Sequence, residues 1–234
     1  MLTHRYKTIL GNIPDDWNRV LLRDCLDLPK CGSGDWGDDS GERGLNVIRS
    51  TNITNDGQLS FEDVAVRYFS ETKAEHLSLL KDDLLVERSG GGPDQPVGRV
   101  VLLRSNLDSY GYGNFIQRLR VRQGAIEPKF LYYCLFEIHR SGVVERLQFQ
   151  TTQMRNLDYR DYLRIYLPLP EPEEQCAIAK ILDASDQVLQ LTKELLGIKT
   201  SLHREQMQGP VNLLKVSLLQ HLLTGKQRIR CGGN

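Results

Sequence analysis

Cysteine is scarce and unpaired in this sequence. Five occur, at positions 25, 31, 134, 176 and 231, and no CxxC is present, which excludes a disulfide framework and a paired-thiol metal knuckle and suits free thiols in a reducing compartment. The five histidines, at 4, 76, 139, 203 and 221, stand singly and make no zinc-ligand cluster, so His139 is expected on a helix surface rather than at a metal. Apolar runs are short, the longest being of the kind seen in VVLL at 100–103, whereas a membrane span needs about 20 residues. With no signal-like opening either, a cytoplasmic protein without a membrane partner is expected. There is no Pro-Pro dipeptide, and therefore no Asn/Asp-Pro-Pro-aromatic tetrad of an amino-methyltransferase. Of a metal-nuclease pattern only Glu71-Thr72-Lys73 appears, far from Pro14-Asp15, and we read it as chance. No Gly-x-Ser-x-Gly elbow occurs, no Lys-Ser/Thr follows the glycine run at 90–92, and no GxGxxG follows a predicted strand, so hydrolase and nucleotide-binding readings have nothing to rest on. No catalytic residue, metal or cofactor is expected in the chain.

Charge of one sign is not in excess either, with 30 basic and 30 acidic residues in 234. A polyanion binder driven by bulk positive field is thereby excluded, and any nucleic-acid contact has to be local and patterned. What is present is arginine: 17 of the 22 basic side chains in the first 170 residues. Arginine offers a planar fork to base edges and phosphates, where lysine is a point charge; a GC-rich genome gives the same bias.

Short β-type runs separated by Gly, Asn, Asp and Ser dominate the first half: LNVIRS (45–50), DLLVER (83–88), GRVVLLR (98–104) and FIQRLRVR (115–122). They predict a twisted sheet. Pro128 opens a helix that buries Phe130, Leu131, Cys134, Leu135 and Ile138 on one stripe. A second helical run is expected over 142–149, then a polar loop, then a strand YLRIYL (162–167). The expected fold class is α+β: a twisted β-sheet domain over 1–170, then a helical region over 171–230 that carries a long coiled-coil arm.

Loops on such a sheet are the candidate reading elements, because the scaffold holds them in register while their sequence varies. The first, KCGSGDWGDD (30–39), offers Lys30, Ser33 and Trp36 as a mobile recognition loop, or is a flexible insertion. Arg49, Ser50 and Asn52 cluster at a strand end. Arg88 leads into Ser89-Gly90-Gly91-Gly92, where backbone amides can approach a phosphate, although three glycines also make an ordinary turn. Thr151, Thr152, Gln153, Met154, Arg155 and Asn156 pack hydroxyls, amides and a guanidinium into one connector. That is the inventory that reads base edges and phosphates, though the same side chains also cap backbone groups. In FIQRLRVR, alternation places Arg118, Arg120 and Arg122 on one face as a phosphate track, or as a solvated face with acidic neighbours.

From residue 167 the chain reads LPLPEPEEQCAIAKILDASD. Pro168, Pro170 and Pro172 keep it extended, and Glu173 and Glu174 then sit in a first helical turn where the dipole favours negative charge. Ala177, Ile181, Ala184, Val188, Leu191, Leu195, Ile198 and Leu202 follow at 4-3-4-3 spacing, which is a coiled-coil seam broadened by Leu182, Leu189 and Leu196. A helix from Glu173 to about Gln208 spans roughly 50 Å. Gly209-Pro210 is expected to break or kink it, and Val211, Leu214, Leu218 and Leu222 suggest a second helix.

This segment is similar to the "PLPPLxEQxxIAxxLxxxD" signature of the specificity subunits of type I restriction-modification systems. Other stretches resemble the same family in order and spacing: YKTILGNIPDDWNRVLLRDCLDL (6–28), GLNVIRSTNIT (44–54), LLKDDLLVERSGGG (79–92), FLYYCLFE (130–137), QTTQMRNLDYRDYLRIYLPLP (150–170) and LLQHLLTGKQRI (218–229). Together they cover nearly the whole chain. The stretch between Leu202 and LLQHLLTGK is longer than the family's usual pattern by roughly three helical turns. The resemblance implies a non-catalytic subunit that reads double-stranded DNA. It further implies a modification subunit that binds S-adenosylmethionine and methylates adenine, and a restriction motor-nuclease subunit using ATP and Mg. Full-length members carry two recognition domains and two pairing helices; one of each here leads us to expect a half-length subunit, a homodimer joined through Ile181, Val188, Leu191, Leu195, Ile198 and Leu202. Two rivals are a nuclease- or methyltransferase-associated fragment, and a coiled-coil interaction or decoy protein that never touches DNA.

Overall fold

A computed structural model describes residues 7–91, 96–151, 154–195 and 213–229, without the side chains of 193–195. In chain order the strands are β1 Lys7–Thr8, β2 Gly11–Asn12, β3 Asn18–Leu21, β4 Gly32–Ser33, β5 Arg43–Ile48, β6 Ala65–Phe69, β7 Leu84–Glu87, β8 Ser89–Gly91, β9 Val100–Leu102, β10 Tyr110–Tyr112, β11 Ile116–Leu119, β12 Gln148–Gln150, β13 Arg155–Leu157 and β14 Tyr166–Leu169. Helices are α1 Glu71–His76, α2 Pro128–Arg140, α3 Tyr159–Tyr162 and α4 Pro172–Leu195, followed by a helix over 213–223. The sheet β4-β11-β7-β9 lies at the centre, flanked by β10-β5-β6 and β12-β13-β8.

Alternation explains why β7 and β9 of the central sheet read as nearly unbroken apolar runs. Leu84, Val86, Val100 and Leu102 enter one core with α2, while Leu85 and Val101 point into a second core with Leu45, Val47 and Ile116. A strand buried on both faces needs apolar side chains at every position. α2 begins where Pro128 predicts, capped by the Glu127 carboxylate accepting from the Phe130 amide at 2.6 Å. Burial raises the pKa of that carboxyl.

Three expectations need correction. Residues 143–147 make only a 3-10 turn after Gly142 at φ +73°, and 148–150 become β12, because Gln148-Phe149-Gln150 finds pairing partners in β13. The segment 162–167 splits: α3 ends at Tyr162 and the strand starts at Tyr166. The three arginines near β11 form no open track. Arg118 is 6% exposed and donates to the carbonyl of Lys30 at 3.0 Å and to that of Ser78. Arg120 pairs with buried Asp83 at 2.6 Å, and Arg122 donates to the Asp24 carbonyl at 2.7 Å. Backbone carbonyls at these turns need donors, and the guanidinium groups supply them.

The signature segments at the two ends and the middle of the chain converge in space. Trp17 donates its indole N–H to Glu174 at 3.1 Å, and Arg228 bridges Glu174 and Asp16 at 2.8 Å each. Hydrogen bonding from Arg228 lowers the pKa of Asp16. Gly225, at φ +64°, lies where a Cβ would meet Pro14 at 2.2 Å, which is the steric reason for glycine in LLTGK. Gln175 receives the Glu127 amide and donates to the Pro170 carbonyl, both at 2.8 Å.

α4 docks through Glu174, Gln175, Ile178, Ala179 and Leu182, all buried, and Asp183 holds Lys129 at 2.8 Å and Arg104 at 2.7 Å. Burial opposes ionisation of Asp183, but the two cations prevail and keep its carboxyl below the usual range. The helix therefore meets its own head with a stripe next to the 4-3-4-3 seam, and Leu182 belongs to the head's core rather than broadening that seam. Along the seam itself Ile181, Val188 and Leu191 are 40%, 60% and 57% exposed. The side chain of Leu195, and Ile198, Leu202 and Gly209-Pro210, lie outside the described residues. Residues 213–229 return to the head: Lys215 pairs with Asp186 at 2.6 Å, and Leu219, Leu222 and Leu223 share the core of Ile13 and Trp17.

Candidate nucleic-acid interface

Loops from five parts of the chain meet at one end of the central sheet. At its centre a recess of about 290 Å³ is lined by Trp36, Arg49, Ser50, Thr51, Gly113, Asn114, Phe115 and Ile116. The turn 50–52 at the end of β5 is seated from below. Arg99, paired with Glu87 through contacts of 2.9 and 2.8 Å, also donates to the carbonyls of Ile53 at 2.6 Å and Ser50 at 3.1 Å. Asn52 is 2% exposed; its side chain accepts from the Arg49 amide at 2.9 Å and donates to the carbonyls of Ser60 and Glu62 at 3.0 and 2.9 Å. Both of its side-chain N–H groups and its side-chain oxygen are engaged within the protein, so it shapes the turn from behind.

Loop 30–39 is pinned rather than mobile. The Gly34 amide donates to the Ile116 carbonyl and the Asp35 amide to that of Tyr112, both at 3.0 Å. A Cβ on Gly34 would fall 2.0 Å from the Tyr112 carbonyl oxygen, so only glycine allows this approach. Lys73 bonds Asp35 at 2.8 Å and lowers its pKa; with Glu71 paired to Arg43 at 3.3 Å, both charged ends of Glu-Thr-Lys are occupied. Burial pushes the Tyr112 hydroxyl beneath the loop up to about 12. Trp36 stays 36% exposed, with the Arg67 guanidinium 5.1 Å from its ring centroid.

The glycine loop and the polar connector form one unit. The Arg88 amide donates to the Phe115 carbonyl at 2.7 Å and its own carbonyl accepts from Leu157 at 2.8 Å. β8 pairs with β13, and Ser89 donates to Asn156 at 2.8 Å, which donates in turn to the Thr151 hydroxyl at 3.2 Å. Gly90, at φ +108°, has Phe115 and Ser50 within van der Waals distance of its missing Cβ. Gln150 and Arg155 of the connector are thus paired across the antiparallel β12–β13 ladder. Phe149, paired opposite Asn156, and Met154 are 51% and 42% exposed.

Of the residues singled out from the sequence, Arg49, Arg88, Thr151 and Arg155 belong to this assembly, and Asn52 supports it. Thr152 and Gln153 lie outside the described residues. Ser33 sits in β4 opposite Gln117. Lys30 is engaged elsewhere, pairing with Asp27 at 2.9 Å. Sequence reading missed Asn114 and Phe115, which turn between two short strands in GYGNFIQ and carry no motif, and Asp63, whose grip on Arg49 joins segments 14 residues apart. His139 is also corrected: it is half-buried, its Nε2 has no partner among the described residues, and burial lowers its pKa.

The fold is a mixed α/β head whose polar loops gather at one end of the central sheet, with α4 docked on it. Residues 14–199 match the family model of the type I restriction modification DNA specificity domain, and the chain belongs to that family. It is 24% identical over 186 residues to a protein of Methanocaldococcus jannaschii named as a type I restriction enzyme MjaX specificity subunit, covering 78% of this chain and 42% of that one. The fold is similar to the S subunit of a type I restriction-modification system from M. genitalium, with a TM-score of 0.53, 20% identity, and 92% of this chain against 51% of that one. It also resembles a chain from a structural study of complex assembly and conformational transition in the type I R-M system, with a TM-score of 0.56, 17% identity, and 93% against 48%. The chain thus spans about half the length of these relatives. Among the described residues no helix is long and apolar enough to cross a membrane.

Proposed function

We propose that this chain is the sequence-reading subunit of a type I restriction-modification complex and reads one half of a bipartite site in double-stranded DNA. Convergence of the Trp36 loop, the Arg49–Thr51 turn, the Arg88–Gly91 loop, the Asn114-Phe115 turn and the 148–157 hairpin carries the reading, with family membership behind it. The assembly offers guanidinium, hydroxyl and amide groups beside exposed aromatic rings, which suits base edges and phosphates. Arg49, Arg88, Thr151, Thr152, Gln153 and Arg155 are the proposed contacts, with Ser33 and Lys30 at the margin. Asn52 acts by shaping the turn.

The chain itself is proposed to be non-catalytic. S-adenosylmethionine, ATP and Mg act in the modification and motor-nuclease partners, for which α4 and the end of the chain form a scaffold. The exposed stripe Ile181, Val188 and Leu191 supports dimerisation through α4, continued by Leu195, Ile198 and Leu202 as a coiled coil. A two-fold dimer presents two identical heads, so the site is an inverted repeat with a fixed spacer.

Selection from a random DNA pool by the chain with its modification subunit tests this. Two identical inverted half-sites at one spacing are expected, matched by methylation that vanishes from the host genome when the gene is deleted. A pool that enriches no sequence overturns the DNA-reading function, and one asymmetric half-site overturns the dimer.

A further inference from the structure

Arg49 is held in a way that stability does not explain. Its Nη2 donates to the Asp63 carboxylate at 2.7 Å and also to the Asp63 backbone carbonyl. Asp63 has a left-handed backbone at φ 54°, costly for a residue with a Cβ, and its side chain is 95% exposed. An ion pair so open to water contributes little to folding, whereas strain kept at such a position is the mark of a group being aimed. Both partners are fixed from behind by one side chain. Asn52 binds the Arg49 amide on one side and the carbonyls of Ser60 and Glu62, just before Asp63, on the other.

The arginine keeps donors in reserve. Nη2 is committed to Asp63 and Nε is buried without a partner among the described residues, which leaves the N–H pair of Nη1 for the recess walled by Trp36 and Phe115 that the side chain lines. A phosphate fits this place poorly, because the Asp63 carboxylate beside the guanidinium offsets its charge and repels an anion. A neutral edge carrying two acceptors fits well. In the major groove that edge is the N7 and O6 of guanine, both able to accept from the N–H pair on Nη1.

We infer that Arg49 is a specificity-determining residue that reads one guanine of the half-site, and that Asp63 is the positioning residue that aims it. The inference rests on the DNA-reading function proposed above and assigns chemistry to one position of that site. Discrimination against the wrong base there is expected to be roughly 5- to 150-fold, the usual cost of one mismatched base pair.

The test compares wild type, Arg49→Met and Asp63→Ala in site selection and in binding to the selected DNA, each with its modification subunit. Asp63 is exposed, so its loss leaves folding intact, and thermal melts of both variants serve as the control. Both variants are expected to lose preference at a single G·C pair while keeping the others. Replacing that guanine by 7-deazaguanine, which lacks the N7 acceptor, is expected to weaken wild type at least 5-fold and leave Arg49→Met nearly unchanged. If both variants weaken all sequences equally, or retain every base preference, the assignment fails while DNA reading stands. A wild-type chain that selects no sequence removes the underlying function, and the assignment with it.

Discussion

Removing the Glu87 carboxylate strands a guanidinium inside the protein. The side chains of Arg99 and Glu87 are 11% and 2% exposed, and two contacts of 2.9 and 2.8 Å join them as a fork. Breaking a buried pair from one side costs about 3–5 kcal/mol, because the remaining charge has no compensation. At roughly 2–4 °C per kcal/mol for a domain of this size, Glu87→Ala is expected to melt about 10 °C or more below wild type. Glu87→Leu combined with Arg99→Met replaces both charges with apolar volume and is expected to recover most of that loss. The double variant still lacks the donors that hold the carbonyls of Ser50 and Ile53. It is therefore expected to fold but to read DNA with relaxed specificity, because the Arg49–Thr51 turn loses its seat. Calorimetry and site selection measure the two effects separately. A Glu87→Ala variant that melts within about 2 °C of wild type refutes the claim that this pair supports the turn.

The exposed seam makes a different demand. Val188 and Leu191 are more than half exposed, so covering each contributes about 1 kcal/mol, and a two-fold dimer covers both twice. Val188→Glu with Leu191→Glu is expected to weaken dimerisation about 10³-fold in sedimentation equilibrium, with the melting of the head unchanged; a wild type that stays monomeric at high concentration removes the basis for the dimer. His139 is held neutral by burial, its pKa lowered, so unfolding takes up a proton. Stability that is full above the ordinary value of about 6.5 is lost as pH falls below it, and His139→Gln is expected to flatten urea-unfolding stability between about pH 7 and 5. Gly34→Ala forces the Trp36 loop away from Tyr112. It is expected to cost about 1–3 kcal/mol and to shift Trp36 emission to the red, while buried Trp17 reports no change.

The sequence by itself determined the elements whose signals are local. Pro128 and Glu127 set the start of α2, Pro172 that of α4, and short β-type runs bounded by turn residues marked β5, β7 and β9, because capping, proline geometry and strand propensity act within a few residues. It also carried the family signature, and the structure shows why: Pro14, Trp17, Glu174, Gln175 and Gly225 are packing and clasp residues that join distant segments. Tertiary structure decided everything that depends on what faces what. Arg118 and Arg120 looked like a phosphate track until backbone carbonyls and Asp83 claimed them. Asn52 looked like a base contact and is instead the hub of a turn. The heptad pattern on α4 did not reveal that the neighbouring stripe, Ile178 and Leu182, is the one the head takes. Spacing along a helix fixes which residues share a face; which face is covered depends on a partner surface assembled from distant residues, Lys129 lying 54 positions from Asp183 and Trp17 157 from Glu174.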